Sequence, residues 1–182
     1  MSQRDFLESV ITLLTRNGIP FMVAGSMGSA HYGEPRSTND IDIVIDPTEE
    51  QLQQFVSQVS ERFYVSPPSA MDALKRRSMF NIIDTATGWK ADLIIRKDRP
   101  FSITEFDRRT TATLLGVAVD LATPEDVVLS KLEWAARSES ERQLRDARSV
   151  LETMAERIDF DYLKKWAGEL GLQDLLDQIL PE

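Results

Sequence analysis

No cysteine occurs among the 182 residues. The chain therefore has no disulfide, no thiol nucleophile and no thiolate metal site, which fits a cytoplasmic protein. Histidine is nearly as scarce. The single His31 excludes a multi-histidine zinc centre and is expected to be structural or at the surface. Any metal must then be held by oxygen, which points to magnesium or manganese. No apolar run approaches the roughly 20 residues that span a bilayer. The start, Met1-Ser2-Gln3-Arg4-Asp5, has no signal-peptide pattern, so no membrane association is expected. Positive charge is in the minority: 21 Lys and Arg stand against 30 Asp and Glu, for a net charge of −9. That balance argues against wholesale coating of nucleic acid, which needs clustered cations. It leaves room for a local basic groove, and Lys75-Arg76-Arg77 and Arg96-Lys97-Asp98-Arg99 are the two clusters that would supply one. The commoner fate of such runs is a solvated surface.

What is present reads as one α/β core with a helical appendage. Phe6, Leu7, Val10, Ile11, Leu13 and Leu14 recur at helical spacing, and Ser2 and Asp5 form a capping pattern ahead of them. Phe21–Ala24 predicts a short buried strand, 26–33 a short helix and 35–39 a loop. Ile41–Ile45 predicts a strand with aspartates at its start, and Asp46-Pro47-Thr48-Glu49-Glu50 predicts a helix start. Pro67-Pro68 is expected to break the chain before a short helix over 69–76. Met79–Thr85 and Trp89–Arg96 predict a hairpin around Ala86-Thr87-Gly88. Ser102 and Glu105 suggest a capped helix to Arg109, and a further strand pair flanks Gly116. After Thr123-Pro124, a strong helix start, only helices are expected, at about 124–137, 140–156, 160–170 and 173–180. The division is a core over 1–122 and a helical subdomain over 123–182. The fold class is α/β (α+β), a mixed β-sheet core flanked by helices.

One stretch carries chemistry. The small-residue turn Ala24-Gly25-Ser26-Met27-Gly28-Ser29 follows an apolar run, and Asp40-Ile41-Asp42-Ile43-Val44-Ile45 follows the turn. Side chains two apart on a strand share a face, so Asp40 and Asp42 point the same way. Two unpaired carboxylates side by side repel each other and cost desolvation, which a divalent cation removes. Asp92 lies within another strand candidate, Lys90-Ala91-Asp92-Leu93-Ile94-Ile95. Pairing of the two strands would bring three carboxylates together, enough for two metal ions, with the third able to take a proton from an attacking hydroxyl. Gly25 permits close backbone approach, and the amides of a following helix start favour an anion. The Ser26 hydroxyl can donate to a phosphate, and Arg36 presents a guanidinium fork suited to one, unless Glu34 or Asp42 claims it. Trp89, Trp134 and Trp166 are expected to pack in the core or at an interface rather than to stack on bases.

The pattern Gly25-Ser26, a short helix, then Gly33-Glu34-Pro35-Arg36-Ser37-Thr38-Asn39-Asp40-Ile41-Asp42, then a later strand Asp92, resembles the DNA polymerase beta-type nucleotidyltransferase superfamily. The minimal bacterial nucleotidyltransferases and the AbiEii-like type IV toxin group look closest. The resemblance implies that Gly25 and Ser26 bind a nucleoside triphosphate and that Asp40, Asp42 and Asp92 hold two magnesium (or manganese) ions. A looser match covers Pro124–Ala135 and Leu144–Arg148, where it implies that Lys131 and Asp146 face the nucleotide cleft. Nucleotide-binding candidates are thus Gly25, Ser26, Arg36 and Lys131, and the catalytic and metal-binding candidates are Asp40, Asp42 and Asp92.

The expected function is transfer of a nucleoside monophosphate from a nucleoside triphosphate to an acceptor hydroxyl. RNA ends, a protein and a small molecule such as an aminoglycoside all stay open as acceptors. A toxin role would add an antitoxin partner. The alternative is a degenerate nucleotidyltransferase fold that binds without chemistry. A glycosyltransferase, which also uses Asp-x-Asp, suits the upstream Gly-Ser poorly.

Overall fold

The computed structural model describes residues 1–180. In chain order the elements are α1 (Gln3–Arg16), β1 (Phe21–Val23), α2 (Gly25–Tyr32), β2 (Asp40–Ile45), α3 (Glu49–Val59), β3 (Tyr64–Val65), α4 (Pro67–Arg76), β4 (Met79–Ile83) and β5 (Lys90–Ile95). Then come α5 (Pro100–Asp107), β6 (Thr110–Leu114), β7 (Val117–Leu121), α6 (Pro124–Ser138), α7 (Glu141–Met154), α8 (Phe160–Leu170) and α9 (Gln173–Ile179). The strands form one mixed sheet in the order β3-β4-β5-β2-β1-β7-β6. No helix among the described residues is long and apolar enough to cross a membrane.

Alternation along the central strands decides the layering. In β2, Ile41, Ile43 and Ile45 are fully buried, while Asp40, Asp42 and Val44 take the other face. The isoleucines join Ala91, Leu93 and Ile95 of β5 and the apolar stripes of α1 and α3 in one core. A second core gathers Met22 of β1 with Phe101, Phe106 and the helices α6 to α9. Those helices cover only part of the sheet's second face. The part left open carries Asp40, Asp42 and Asp92.

Several local expectations shift. Pro67 and Pro68 do not break the chain ahead of α4. They are its first two residues, with Ser66 as cap, because a missing amide costs nothing in a first helical turn. Pro100 likewise opens α5, so Ser102 lies inside that helix, where its hydroxyl accepts from Arg99 at 2.9 Å instead of capping. Pro47 precedes the α3 cap, Thr48, which forms a reciprocal capping box with Gln51.

The appended helices are tied to the core by a buried charge cluster. Arg108 bonds Glu125 at 3.0 Å and Asp126 at 3.2 Å and lies over the Tyr162 ring. The Tyr162 hydroxyl donates to Asp126 at 2.5 Å, and Asp126 is fully buried. Burial raises the Asp126 carboxyl, while its hydrogen bonds and Arg108 oppose that. Replacing Arg108 by Met removes the positive charge facing two buried carboxylates, which keep only neutral donors, and loss of one partner from such a cluster costs about 3 kcal/mol. Urea unfolding should show that loss with the native fold retained; a change under about 1 kcal/mol would mean the cluster behaves as a surface pair.

Candidate active site

β2 and β5 run parallel in register, pairing Asp40 with Lys90 and Asp42 with Asp92. Asp42 and Asp92 therefore stand side by side on the face that floors the cleft. The turn lies directly against them. Gly25 has φ +57, and a Cβ built on it would fall 1.9 Å from Asp42 Oδ2. Only glycine meets both demands, the left-handed backbone and the close approach. The Ala24 amide donates to the Asp42 carbonyl at 2.9 Å and the Ser26 amide to Asp42 Oδ2 at 3.4 Å. Burial pushes the Asp42 carboxyl above the usual carboxylate range; the Ser26 amide opposes the shift and Asp92 reinforces it.

A second set of side chains meets over the turn. Arg36 donates to the Ser26 hydroxyl at 2.5 Å and to Asp146 at 3.0 Å, leaving its buried Nε without a hydrogen-bond partner. Lys131 donates to the same Asp146 oxygen at 2.8 Å. Burial alone would raise the Asp146 carboxyl, but the bonds from Lys131 and Arg36 hold it below its ordinary value. Burial lowers the Lys131 ammonium; the Asp146 carboxylate opposes that shift, and the like charge of Arg36 adds to it. Arg36 thus pairs with neither Glu34 nor Asp42. Asp146 pairs with Lys131 and Arg36, bringing the two halves of the helical motif together.

Gly25, Ser26, Arg36, Asp42, Asp92 and Lys131 line one cleft of about 710 Å³ that extends along α5 and α6, with Asp146 behind them. Lys and Arg outnumber Asp and Glu around it, the reverse of 21 against 30 in the whole chain. Of the two basic clusters, Arg77, Arg96, Lys97 and Arg99 line the cleft. Arg77 and Arg96 pair with Asp46 and Asp98, and Arg99 forms a forked pair with Glu133. Arg76 stays on the surface with Asp72. His31 is exposed against Tyr32. Trp166 packs in the core as expected. Trp134 is not in the core: it is 51% exposed, on the cleft wall. Its spacing from Val127 and Lys131 places it on the cleft-facing stripe of α6, which its apolar character alone did not show.

Two further groups escaped the sequence. Lys90 holds Asp92 at 3.0 Å and Asp40 at 3.6 Å. Glu105, expected near a helix start, is instead 7% exposed within α5, and Ser130 donates to it at 2.8 Å. Neither was visible without the β2–β5 register or the packing of α5 on α6.

Oxygen donors are the right chemistry for a hard divalent cation. No group of three such side chains among the described residues is gathered into a ready metal cage. Buried Asp92, one of the residues lining the cleft, nonetheless keeps an Oδ1 with no hydrogen-bond partner. The donor set therefore fits such an ion.

No family model matches the chain, and no curated protein does. Solved structures share its fold. ANT(2")-Ia in complex with adenylyl-2"-tobramycin is similar at TM-score 0.64 and 11% identity, over 94% of this chain and 98% of that one. An antigenic nucleotidyltransferase-like protein from Paracoccidioides brasiliensis is similar at TM-score 0.57 and 17% identity, over 97% and 93%. The lincosamide antibiotic adenylyltransferase LnuA, lincomycin-bound, is similar at TM-score 0.55 and 10% identity, over 82% and 96%. The chain thus has a nucleotidyltransferase-like fold.

Burial in the cleft wall raises the Glu105 carboxyl from 4.5 to about 8. Between those values the folded chain holds a proton that the unfolded chain has released, so stability falls as pH rises through that window, by up to about 1.4 kcal/mol per pH unit. Urea titrations across the window should show the slope in the wild type and its loss in Glu105→Gln. Equal slopes would contradict the assignment.

Proposed function

We propose that this protein is a metal-dependent nucleotidyltransferase that moves a nucleoside monophosphate from a nucleoside triphosphate to an acceptor hydroxyl. The observation that carries the reading is the row of Asp40, Asp42 and Asp92 on one open sheet face, packed against the Gly25-Ser26 turn. In this reading the triphosphate lies along the start of α2. Ser26 donates to a phosphate oxygen, and Arg36 and Lys131 neutralise the β- and γ-phosphates. The unpartnered Arg36 Nε supports that role. Asp40, Asp42 and Asp92 would hold two magnesium or manganese ions, which when bound polarise the phosphates and ease ionisation of the acceptor hydroxyl. Asp92 orients that hydroxyl and takes its proton. The acceptor oxygen bonds to the α-phosphorus, the α–β bond breaks, and pyrophosphate leaves toward Arg36 and Lys131.

The acceptor would enter from the end lined by Lys97, Trp134 and Arg137. Among RNA, protein and small-molecule acceptors, the gathering of cations there favours one bearing phosphate. The carry-over of Lys131 and Asp146 supports placement near the AbiEii-like group, and with it a toxin role beside an antitoxin.

Asp42→Asn should cut pyrophosphate release by roughly a thousandfold or more, the scale of a major electrostatic contribution, with the circular dichroism spectrum unchanged. Turnover equal to wild type would refute the reading. Triphosphate binding by the wild type with no pyrophosphate release would instead identify a degenerate binding module.

A further inference from the structure

The site as read above leaves Lys90 without a task. Its neighbours give it one. It sits two residues before Asp92 on β5, so both side chains share the face that floors the cleft. Across the parallel pair it stands opposite Asp40. Its ammonium lies 3.0 Å from Asp92 Oδ2 and 3.6 Å from Asp40 Oδ1. No other Lys or Arg among the described residues pairs with either carboxylate.

An ordinary surface ion pair would leave both partners wet and would matter little. Asp92 is not wet: it is 8% exposed, with one oxygen on Lys90 and the other on nothing. Asp42 stands next to it in register. Asp42 feels Asp92, and less strongly the more exposed Asp40, as like charges, and a cation among them relieves that repulsion. Lys90 is that cation, carried by the chain itself.

We propose that Lys90 is a resident counter-cation that holds the carboxylate row together and competes with divalent metal for it. The inference rests on the reading that Asp40, Asp42 and Asp92 are the metal ligands. A metal ion on Asp40 and on the free Oδ1 of Asp92 would lie against the ammonium held by the same carboxylates, and the like charges repel. The free protein therefore binds metal weakly. A triphosphate offers the ammonium, on its flexible stem, a new anion, so nucleotide strengthens metal binding. Lys90 acts through Asp40 and Asp92 and is a positioning residue.

Manganese titration of the full chain, followed by the resonance of the free ion, tests this with wild type, Lys90→Met, Lys90→Gln and Lys90→Arg. Without nucleotide, removing one charge about 3–4 Å from the ligands should tighten manganese binding roughly five- to tenfold in the Met and Gln variants. Lys90→Arg should stay near wild type. In chelator, the Met and Gln variants should melt below wild type, and manganese should raise their melting temperature by more. With a non-hydrolysable triphosphate present, the affinity gap between wild type and variants should narrow. Folded Met and Gln variants that bind manganese no better than a manganese-binding wild type would overturn the role of Lys90 and leave the metal reading intact. Failure of every form, wild type included, to bind manganese with or without the triphosphate would overturn both.

Discussion

The contact between the Asp42 carboxylate and the backbone of Gly25 sets the geometry of everything around it. A side chain on Gly25 would collide with Asp42 Oδ2, and the φ of +57 is one that other residues reach only with strain. Asp42 in turn accepts from two amides of the turn, through its carbonyl and its carboxylate. A single residue therefore fixes the distance between the anion-facing turn and the row of acids. From that fixed point α2 runs back against α6 and α7. The run brings Ser26, Arg36, Asp146 and Lys131 into one hydrogen-bonded group.

Charge is arranged against the average of the chain. A net charge of −9 surrounds a cleft whose rim is basic. Its floor is acidic but compensated internally by Lys90 on one side and by the Arg36–Asp146–Lys131 group on the other. The Ser26–Arg36–Asp146–Lys131 group is held by its own hydrogen bonds, so association does not have to supply its ordering. Bulk net charge is silent about this, because a cleft focuses the field of the few residues that line it.

The parts of this picture governed by local rules were legible in the sequence. Strand alternation in Asp40–Ile45, the glycine at the turn and the caps at Ser2 and Thr123 each act over a few residues. Other parts depend on which segments meet. Asp92 could be suspected because a carboxylate interrupts an apolar strand, but its partner Lys90 needed the β2–β5 register. Glu105 looked like part of a helix-start signal and became a buried acid only when α5 packed on α6. Trp134 was expected in the core or at an interface; α6 runs along the cleft and leaves it uncovered there. Pro67, Pro68 and Pro100 show a milder ambiguity, since proline both interrupts a chain and opens a helix.

The central claim is the bond that is made and broken. Incubating the protein and magnesium with triphosphate labelled at the α-phosphate or at the γ-phosphate, in the presence of a total cell extract supplying acceptors, tests it directly. The account predicts that α-label enters an acceptor above the level seen with Asp42→Asn in the same extract, with no such excess of γ-label in any acceptor. An excess of γ-label in an acceptor, or no excess of either label, would contradict it.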